Sequence, residues 1–330
     1  MDLKDRIESF RLSMRLALMR QILNHNISII LLSGAAAIFI AASLIGRACN
    51  APPYKLFPKN PSEFLSERKI NRQLEDIYPI LEREPDNYAA LCEMAVLKYQ
   101  KGPDSYPEAI VALEKAKYGG HLDSRIFYYL GAMYQHEGLY SYAEAELRRF
   151  LYNSPDDYDA SMILGLSLYS QKKYAEAADL YLSMLQRHKK DRLLLSNLAF
   201  AQNKIGNDYS ETLNMLKKTG SVGRYISMLT EGEILFENSK YAESLEILEE
   251  ARKMRKYSGK DFKLYILIAK NLAETGKNAE CRANLAEIEK IFPGKKETQS
   301  LLARLDEQEK LKKKEQSQKQ SKPKSSRKRK

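Results

Sequence analysis

The sequence is poor in the residues that staple small domains and punctuate sheets. It holds 3 cysteines, none at a paired spacing, which excludes a disulfide framework and a cysteine-rich zinc module. Glycine (15) and proline (11) are scarce among 330 residues, while Ala, Leu, Glu and Lys abound. A sheet-rich fold with many tight turns needs more of both, so the composition points to helices. Catalytic signatures are missing as well. No two of His25, His121, His136 and His188 stand at metal-ligand spacing with a carboxylate, and HExxH is absent. No glycine loop suits a phosphate, and Gly165-Leu166-Ser167-Leu168-Tyr169 lacks the second glycine of a nucleophile elbow. Asp156, Asp157 and Asp159 lack the ligand ladder of a calcium loop and read as a solvated turn. No enzyme activity and no cofactor are therefore expected. With 44% apolar and 29% charged residues, the chain is too apolar for general disorder.

Charge is unevenly placed. The formal net charge is +11, and residues 310–330 alone hold eleven basic side chains against one acid, Glu315. Among them are Lys312, Lys313, Lys314, Arg327, Lys328, Arg329 and Lys330. The rest of the chain is nearly neutral, so the basicity belongs to a tail and not to a binding face on a folded body. A Lys, Arg, Gln and Ser composition cannot bury a core, and the tail is expected to be disordered. It suits attachment to an anionic surface or polymer, which in a cytoplasmic setting includes nucleic acid.

No formal charge occurs between Arg20 and Arg47, and within that gap residues 27–46 read ISIILLSGAAAIFIAASLIG. At about 1.5 Å per residue this helix would span about 30 Å, the thickness of bilayer hydrocarbon. Its ten Ile, Leu and Phe residues supply on the order of −5 kcal/mol of insertion free energy. The segment reads as an uncleaved signal anchor, with a small-residue row, Ser33, Ala37 and Ala41, available for helix pairing and self-association. A cleaved signal peptide would have a shorter apolar core. A lipoprotein signal using Cys49 would have Arg47 two residues upstream of the acceptor, an unusual neighbour. Lys and Arg flank the span almost equally, so orientation rests on a general tendency: a long C-terminal body after a short N-terminus is expected outside the cytoplasm. Residues 1–26 carry an amphipathic helical pattern, and the proline-rich stretch 47–61 reads as a stiff spacer.

The body repeats. Leu130-Gly131 and Leu164-Gly165 lie 34 residues apart, and the same step reaches Met94-Ala95 and Leu198-Ala199. Small slips bring Glu231-Gly232 and Ile268-Ala269. The best unit, 124–157, has Phe127, Leu130, Gly131, Tyr134, Gly138, Tyr140, Ala143, Leu147, Phe150 and Pro155. This pattern resembles the tetratricopeptide repeat, a helix-turn-helix unit with small residues at its eighth and twentieth places. The resemblance implies an all-α, right-handed solenoid of about six repeats over 88–295. Residues 62–87 would form a capping half repeat, and 296–309 a C-terminal capping helix. No single unit can bury its apolar face alone, so the units must stack.

Carried over from the family, the first helix of each unit lines a concave groove. The matching positions here include Tyr99, Tyr128, Gln135, Leu166, Tyr169, Phe200, Asn203, Glu233 and Phe236. Aromatics and amides in this number suit an extended peptide or a helix from a protein partner. The Lys/Asn/Arg clamp for a chaperone's terminal carboxylate is missing, since Tyr128, Ala132, Met162 and Leu166 hold those places. The resemblance thus implies a membrane-anchored bacterial scaffold, with its array in the periplasm and its work in envelope assembly or a large envelope machine. The alternative is a cytoplasm-facing protein whose basic tail holds nucleic acid or anionic lipid.

Overall fold

The computed structural model describes residues 57–320. The amphipathic stretch 1–26, the apolar span 27–46, most of the spacer 47–61 and the tail end with Arg327, Lys328, Arg329 and Lys330 lie outside the described residues. The chain divides into a piece ending at Phe64 and a body from Leu65 onward. In the first, Pro61–Glu63 forms a single 3-10 turn, and the Glu63 carboxylate accepts from the Lys59 backbone N–H at 2.8 Å.

The body is helical throughout, with no strand among the described residues. Helix α1 (Glu67–Arg83) precedes six antiparallel pairs. These are α2 (Tyr88–Lys101) with α3 (Tyr106–Tyr118), α4 (Arg125–His136) with α5 (Tyr140–Asn153), and α6 (Tyr158–Ser170) with α7 (Tyr174–Leu185). They continue with α8 (Arg192–Lys204) and α9 (Ser210–Lys217), then α10 (Ser221–Glu237) and α11 (Tyr241–Lys253). A one-turn helix, α12 (Arg255–Ser258), leads into α13 (Phe262–Glu274) with α14 (Asn278–Ile291), and α15 (Lys296–Gln320) ends the array. Helices pack on their sequence neighbours, and most first helices also pack on the first helix of the following pair, which makes a stacked repeat array. Ile70 and Leu74 of α1, and Leu301 and Leu305 of α15, are buried, so both ends are covered.

Close approach within a pair comes from the small residues. The eighth position is Ala95, Gly131, Gly165, Ala199, Gly232 or Ala269, and the twentieth, allowing for longer turns, is Ala109, Ala143, Ala177, Thr212, Ser244 or Cys281; all are buried. A Cβ on Gly131 would lie 2.5 Å from Leu147 Cγ, and one on Gly232 would lie 2.6 Å from Leu248 Cδ2. Second helices also bond directly to first-helix backbone. Ser244 Oγ donates to the Gly232 carbonyl at 2.6 Å, and Cys281 Sγ to the Ala269 carbonyl at 3.2 Å.

Neighbouring pairs are tied by their helix starts. Asn87, Asp157, Asp191 and Asp261 cap α2, α6, α8 and α13 by accepting from backbone N–H groups three residues on, at 3.0, 3.0, 3.1 and 3.3 Å. Asp157 is therefore a helix cap. Two caps serve a second purpose: Tyr158 and Tyr225 each donate a phenol hydrogen bond of 2.9 Å to the cap of the next repeat, Asp191 and Asp261 respectively.

Some boundaries differ from the sequence expectation. Helix α15 runs to Gln320, eleven residues past 309, and so includes Lys312, Lys313 and Lys314. The stretch 310–320 contains only Lys, Leu, Glu, Gln and Ser, mostly strong helix formers, and the first breaker is Pro323. The fifth pair starts at Ser221, directly after Gly220 with φ +108°, and α12 accounts for the long connection before the sixth. The long turn 102–105 is a 3-10 turn over Pro103–Ser105.

The turn between paired helices recurs. Its middle residue is left-handed in five pairs: Gly138 (φ 77°), Lys172 (φ 64°), Gly206 (φ 76°), Ser239 (φ 60°) and Gly276 (φ 74°). The following N–H reaches back to a carbonyl five residues earlier, as in Leu139 to Tyr134 at 2.8 Å and Lys173 to Leu168 at 2.9 Å. A residue with a Cβ is strained there. Lys172→Gly should raise stability by about 0.5–1 kcal/mol, and Gly276→Ala, whose new Cβ meets nothing within 4 Å, should lower it by about 1 kcal/mol. Thermal melts of the two variants check this; opposite signs would contradict the strain argument.

Candidate functional site

Four first helices and one second helix share one open cavity of ≈ 180 Å³. Leu166 and Tyr169 come from α6, Tyr181 from α7, Asn197 and Phe200 from α8, Glu233 and Glu237 from α10, and Lys263 from α13. Helical spacing puts Leu166 and Tyr169 on one face of α6, and Asn197 and Phe200 on one face of α8. The apposed helices α6 and α8 approach one another less than most successive first helices, and the cavity reaches between them to Tyr181.

Local packing explains why Tyr181 is there. A Cβ on Gly165 would sit 2.4 Å from Tyr181 Cε1 and 2.8 Å from its hydroxyl oxygen, so only glycine leaves room for this ring against α6. Tyr181 is 1% exposed, and its hydroxyl has no hydrogen-bond partner; the amide nitrogen of Asn197 is likewise buried without an acceptor. Burial pushes the Tyr181 phenol well above its ordinary range, so it is neutral. Tyr169 stands edge-on to Tyr174 at 5.0 Å. Burial, then the charges of Glu237 and Glu233 with Tyr174 nearby, pushes its phenol up as well. At the rim, Lys263 Nζ pairs with Glu233 at 2.6 Å and Lys204 Nζ with Glu237 at 2.8 Å, so both carboxylates are balanced locally.

Of the sequence-predicted groove residues, the cavity brings together Leu166, Tyr169, Phe200 and Glu233. Asn203 and Phe236 lie outside its lining: Asn203 accepts from Asn238 Nδ2 at 2.9 Å, and Phe236 packs on Tyr241 at 5.4 Å. Gln135 is half-buried near the end of α4. Tyr128 is a correction. It is 1% exposed, with its ring edge-on to Phe150 at 5.4 Å, because α4 is enclosed by α2, α3, α5 and α6. Tyr99 is also buried, between Tyr106 at 5.5 Å and Tyr129 at 4.8 Å. Both are core residues of the early repeats. Sequence reasoning missed Tyr181, Asn197, Glu237 and Lys263. A signal for Tyr181 was present: four residues after the twentieth place the other pairs have Leu113, Leu147, Leu216, Leu248 and Leu285.

Among the described residues, one group could offer metal ligands: Cys92, His121 and Asp123, with ligand atoms within 4.8 Å of one another. Two of its three residues, Cys92 and Asp123, are already committed. Arg125 donates to Asp123 at 2.7 and 2.9 Å, and although burial alone would raise the Asp123 carboxyl, these bonds hold it below its ordinary value. Burial pushes the Cys92 thiol up to about 12, which keeps it protonated and donating to Asp123 at 3.6 Å. The corner ties the first two repeats together.

The site thus offers an aromatic and aliphatic recess with balanced charges at its rim. If Gly165 is the spacer for Tyr181, Gly165→Ala should cost about 1–3 kcal/mol by overpacking. Restoration by a paired Tyr181→Leu change, read as thermal midpoints, checks the cause; a single variant with unchanged stability would contradict it.

Residues 125–191 match a family model described as tetratricopeptide repeat. No curated protein matches the sequence. A solved tetratricopeptide repeat protein from Parabacteroides merdae is 18% identical, with a TM-score of 0.58 over 76% of this chain and 98% of its own. The pilus biogenesis factor PilW aligns at 14% identity and a TM-score of 0.48, covering 65% of this chain and 98% of its own. PilF of Pseudomonas aeruginosa aligns at 17% and 0.42, covering 66% and 97%. Residues 125–191, which hold α4 to α7, thus match the tetratricopeptide repeat, and the array around them has the fold of the Parabacteroides protein.

Proposed function

We propose that this chain is a non-enzymatic scaffold that holds a protein partner against the first-helix face of its middle repeats. The observation that carries the reading is the cavity itself. First helices from four successive repeats contribute Leu166, Tyr169, Phe200 and the Glu233–Lys263 pair to one open recess, while the flanking early repeats are closed by their own tyrosines. An open aromatic recess is where a partner's side chain can bury apolar area.

In this reading residues 27–46 anchor the scaffold in a bacterial inner membrane, with the array on the periplasmic side and a role in envelope assembly. Support comes from the length and apolarity of that segment, which lies outside the described residues. Among the described residues no helix is long and apolar enough to cross a membrane. The lysines carried on the end of α15 favour a second contact, with an anionic surface.

A photo-crosslinking residue placed at Phe200 in the full-length chain should capture a discrete partner in cells, and the same residue at Tyr118, 85% exposed on a second helix, should not. Leu166→Arg should abolish the Phe200 crosslink with unchanged helical circular dichroism, because a 39% exposed site tolerates charge within about 0.5 kcal/mol. Equal capture at both positions, or capture indifferent to Leu166→Arg, would remove the groove from the account. A reporter fused after Lys330 and active only outside the cytoplasm is expected; activity only inside would favour the cytoplasm-facing alternative with nucleic acid on the tail.

A further inference from the structure

In a stack of antiparallel pairs, the turns within pairs fall along one edge and the connections between pairs along the other. The connection edge of the first three pairs carries large exposed side chains. Tyr118, at the end of α3, is 85% exposed, and Tyr152, at the matching place of α5, is 87% exposed. Leu122, in the first connection, is 99% exposed. The backbone around Leu122 is pinned. Gly119 leaves room for Tyr88, whose ring a Cβ there would strike. The His121 N–H donates to the Ala116 carbonyl at 3.0 Å, and the Asp123 carboxylate accepts from Arg125 at 2.7 Å. This connection is built to hold a leucine clear of the fold. Apolar residues exposed singly need no explanation, but three large ones on successive connections form a patch.

The same edge is basic. Lys117 Nζ lies 5.5 Å from the centre of the Tyr118 ring, and Arg187, Lys189 and Lys190 are exposed in the third connection. The acids beside them are held: Asp86 by Lys115 at 2.8 Å, Asp156 by Arg187, and Asp157 as a helix cap. Lys189 and Lys190 form no ion pair among the described residues, so positive charge is in excess there. At the opposite edge of these pairs the exposed ring is Tyr142, at 63%, and it leans on Tyr134 at 5.6 Å.

From this we infer that the connection edge of the first three pairs rests on an anionic bilayer, with Leu122 inserted between the head groups. The inference rests on the reading of residues 27–46 as a membrane anchor. Leu65 stands 19 residues after Gly46, so the chain between them spans at most about 70 Å. Such a tether presents the array to its own bilayer at an effective concentration on the order of mM, and a contact of a few side chains then suffices. Tyrosine, leucine and lysine are the side chains this contact needs. A tyrosine ring sits at head-group level with its hydroxyl in water, a leucine reaches the acyl boundary, and lysines meet anionic head groups. A second copy fits less well, because symmetric pairing of this edge would set Lys189 and Lys190 of both copies against like charge. Contact along an edge leaves the first-helix face, with its recess, open to a partner.

The sequence has no tryptophan, so one substitution supplies a unique fluorescent reporter. The full-length chain is reconstituted into phosphatidylcholine–phosphatidylglycerol vesicles, with part of the lipid brominated in its acyl chains. Leu122→Trp and Tyr152→Trp should each be quenched by the brominated lipid and shielded from acrylamide. Tyr142→Trp should be open to acrylamide and untouched by bromine. Adding Leu122→Asp to Tyr152→Trp should lower the docked-to-free ratio about tenfold, the factor that burial of one leucine side chain supplies, with unchanged helical circular dichroism. Wholly zwitterionic vesicles, or Lys189→Glu with Lys190→Glu, should weaken the quenching of both reporters. The inference is overturned by carbonate-resistant protein whose Leu122→Trp reporter escapes bromine, or by equal bromine quenching at 122 and 142. Quenching indifferent to Leu122→Asp, or unchanged in zwitterionic vesicles, overturns it too. Shielding from acrylamide without bromine quenching overturns it in favour of contact with a second copy. Protein that carbonate washes from the vesicles removes the anchor reading and this inference with it, while the Phe200 crosslink still reports on the groove.

Discussion

The array depends on how closely the two helices of each pair approach, and that distance is set by side chains smaller than a leucine. With Gly131 and Gly232 in place, Leu147 and Leu248 reach positions where a single added carbon would sit 2.5 and 2.6 Å away. The hydrogen bonds from Ser244 and Cys281 to first-helix carbonyls are possible only at that separation. Interiors packed to crystalline density do not absorb an extra methyl group without shifting neighbours. Since each pair is the footing for the next, a change in one separation would move every later first helix and any groove they share.

That constraint also explains why a binding recess can arise without any change of fold. A second helix held this close must fill the space beside its partner with one large side chain. Leucine does so in five pairs and leaves nothing unsatisfied. Tyrosine in the third does so with a longer ring that lies against Gly165, and the neighbouring first helices α6 and α8 make fewer contacts with one another, with the recess between them. The change stays local, because turns and caps on either side follow the common pattern: Lys172 adopts the left-handed turn, and Asp157 and Asp191 cap their helices.

Much of this was legible in the residues because the signals are local and repeated. The spacing of Leu130-Gly131 and Leu164-Gly165, the small residue twelve places on and the proline after the second helix each have a short-range cause, so the helix pairs could be placed from sequence. Burial among several helices is not local. Tyr128 occupies a groove-lining position by register, yet α4 is enclosed on all sides by α2, α3, α5 and α6, and its tyrosines became core. The same register on α6 is Met162, which is buried as well, whereas Tyr169, seven residues further along α6, and Phe200, four residues past the matching Ser196 of α8, are half-buried. Nor could spacing reveal that Lys263 would balance Glu233 from the next repeat, since that pairing depends on how far consecutive repeats are displaced. The end of α15 was misplaced for another reason: a lysine-rich sequence without packing partners resembles a disordered tail, but it also lacks any residue that would stop a helix already under way.

The balance of charge around the recess has a further consequence for recognition. Where every rim carboxylate has its own lysine, long-range attraction contributes little, and an exposed ion pair supplies at most about 1 kcal/mol. For a partner held there, selectivity would then come from short-range terms, chiefly the shape of the aromatic wall of Leu166, Tyr169 and Phe200. In the proposed scaffold, binding at the groove would thus be insensitive to salt, and a contact between the lysine-rich end of α15 and an anionic surface would be sensitive to it, so that salt separates the two proposed contacts.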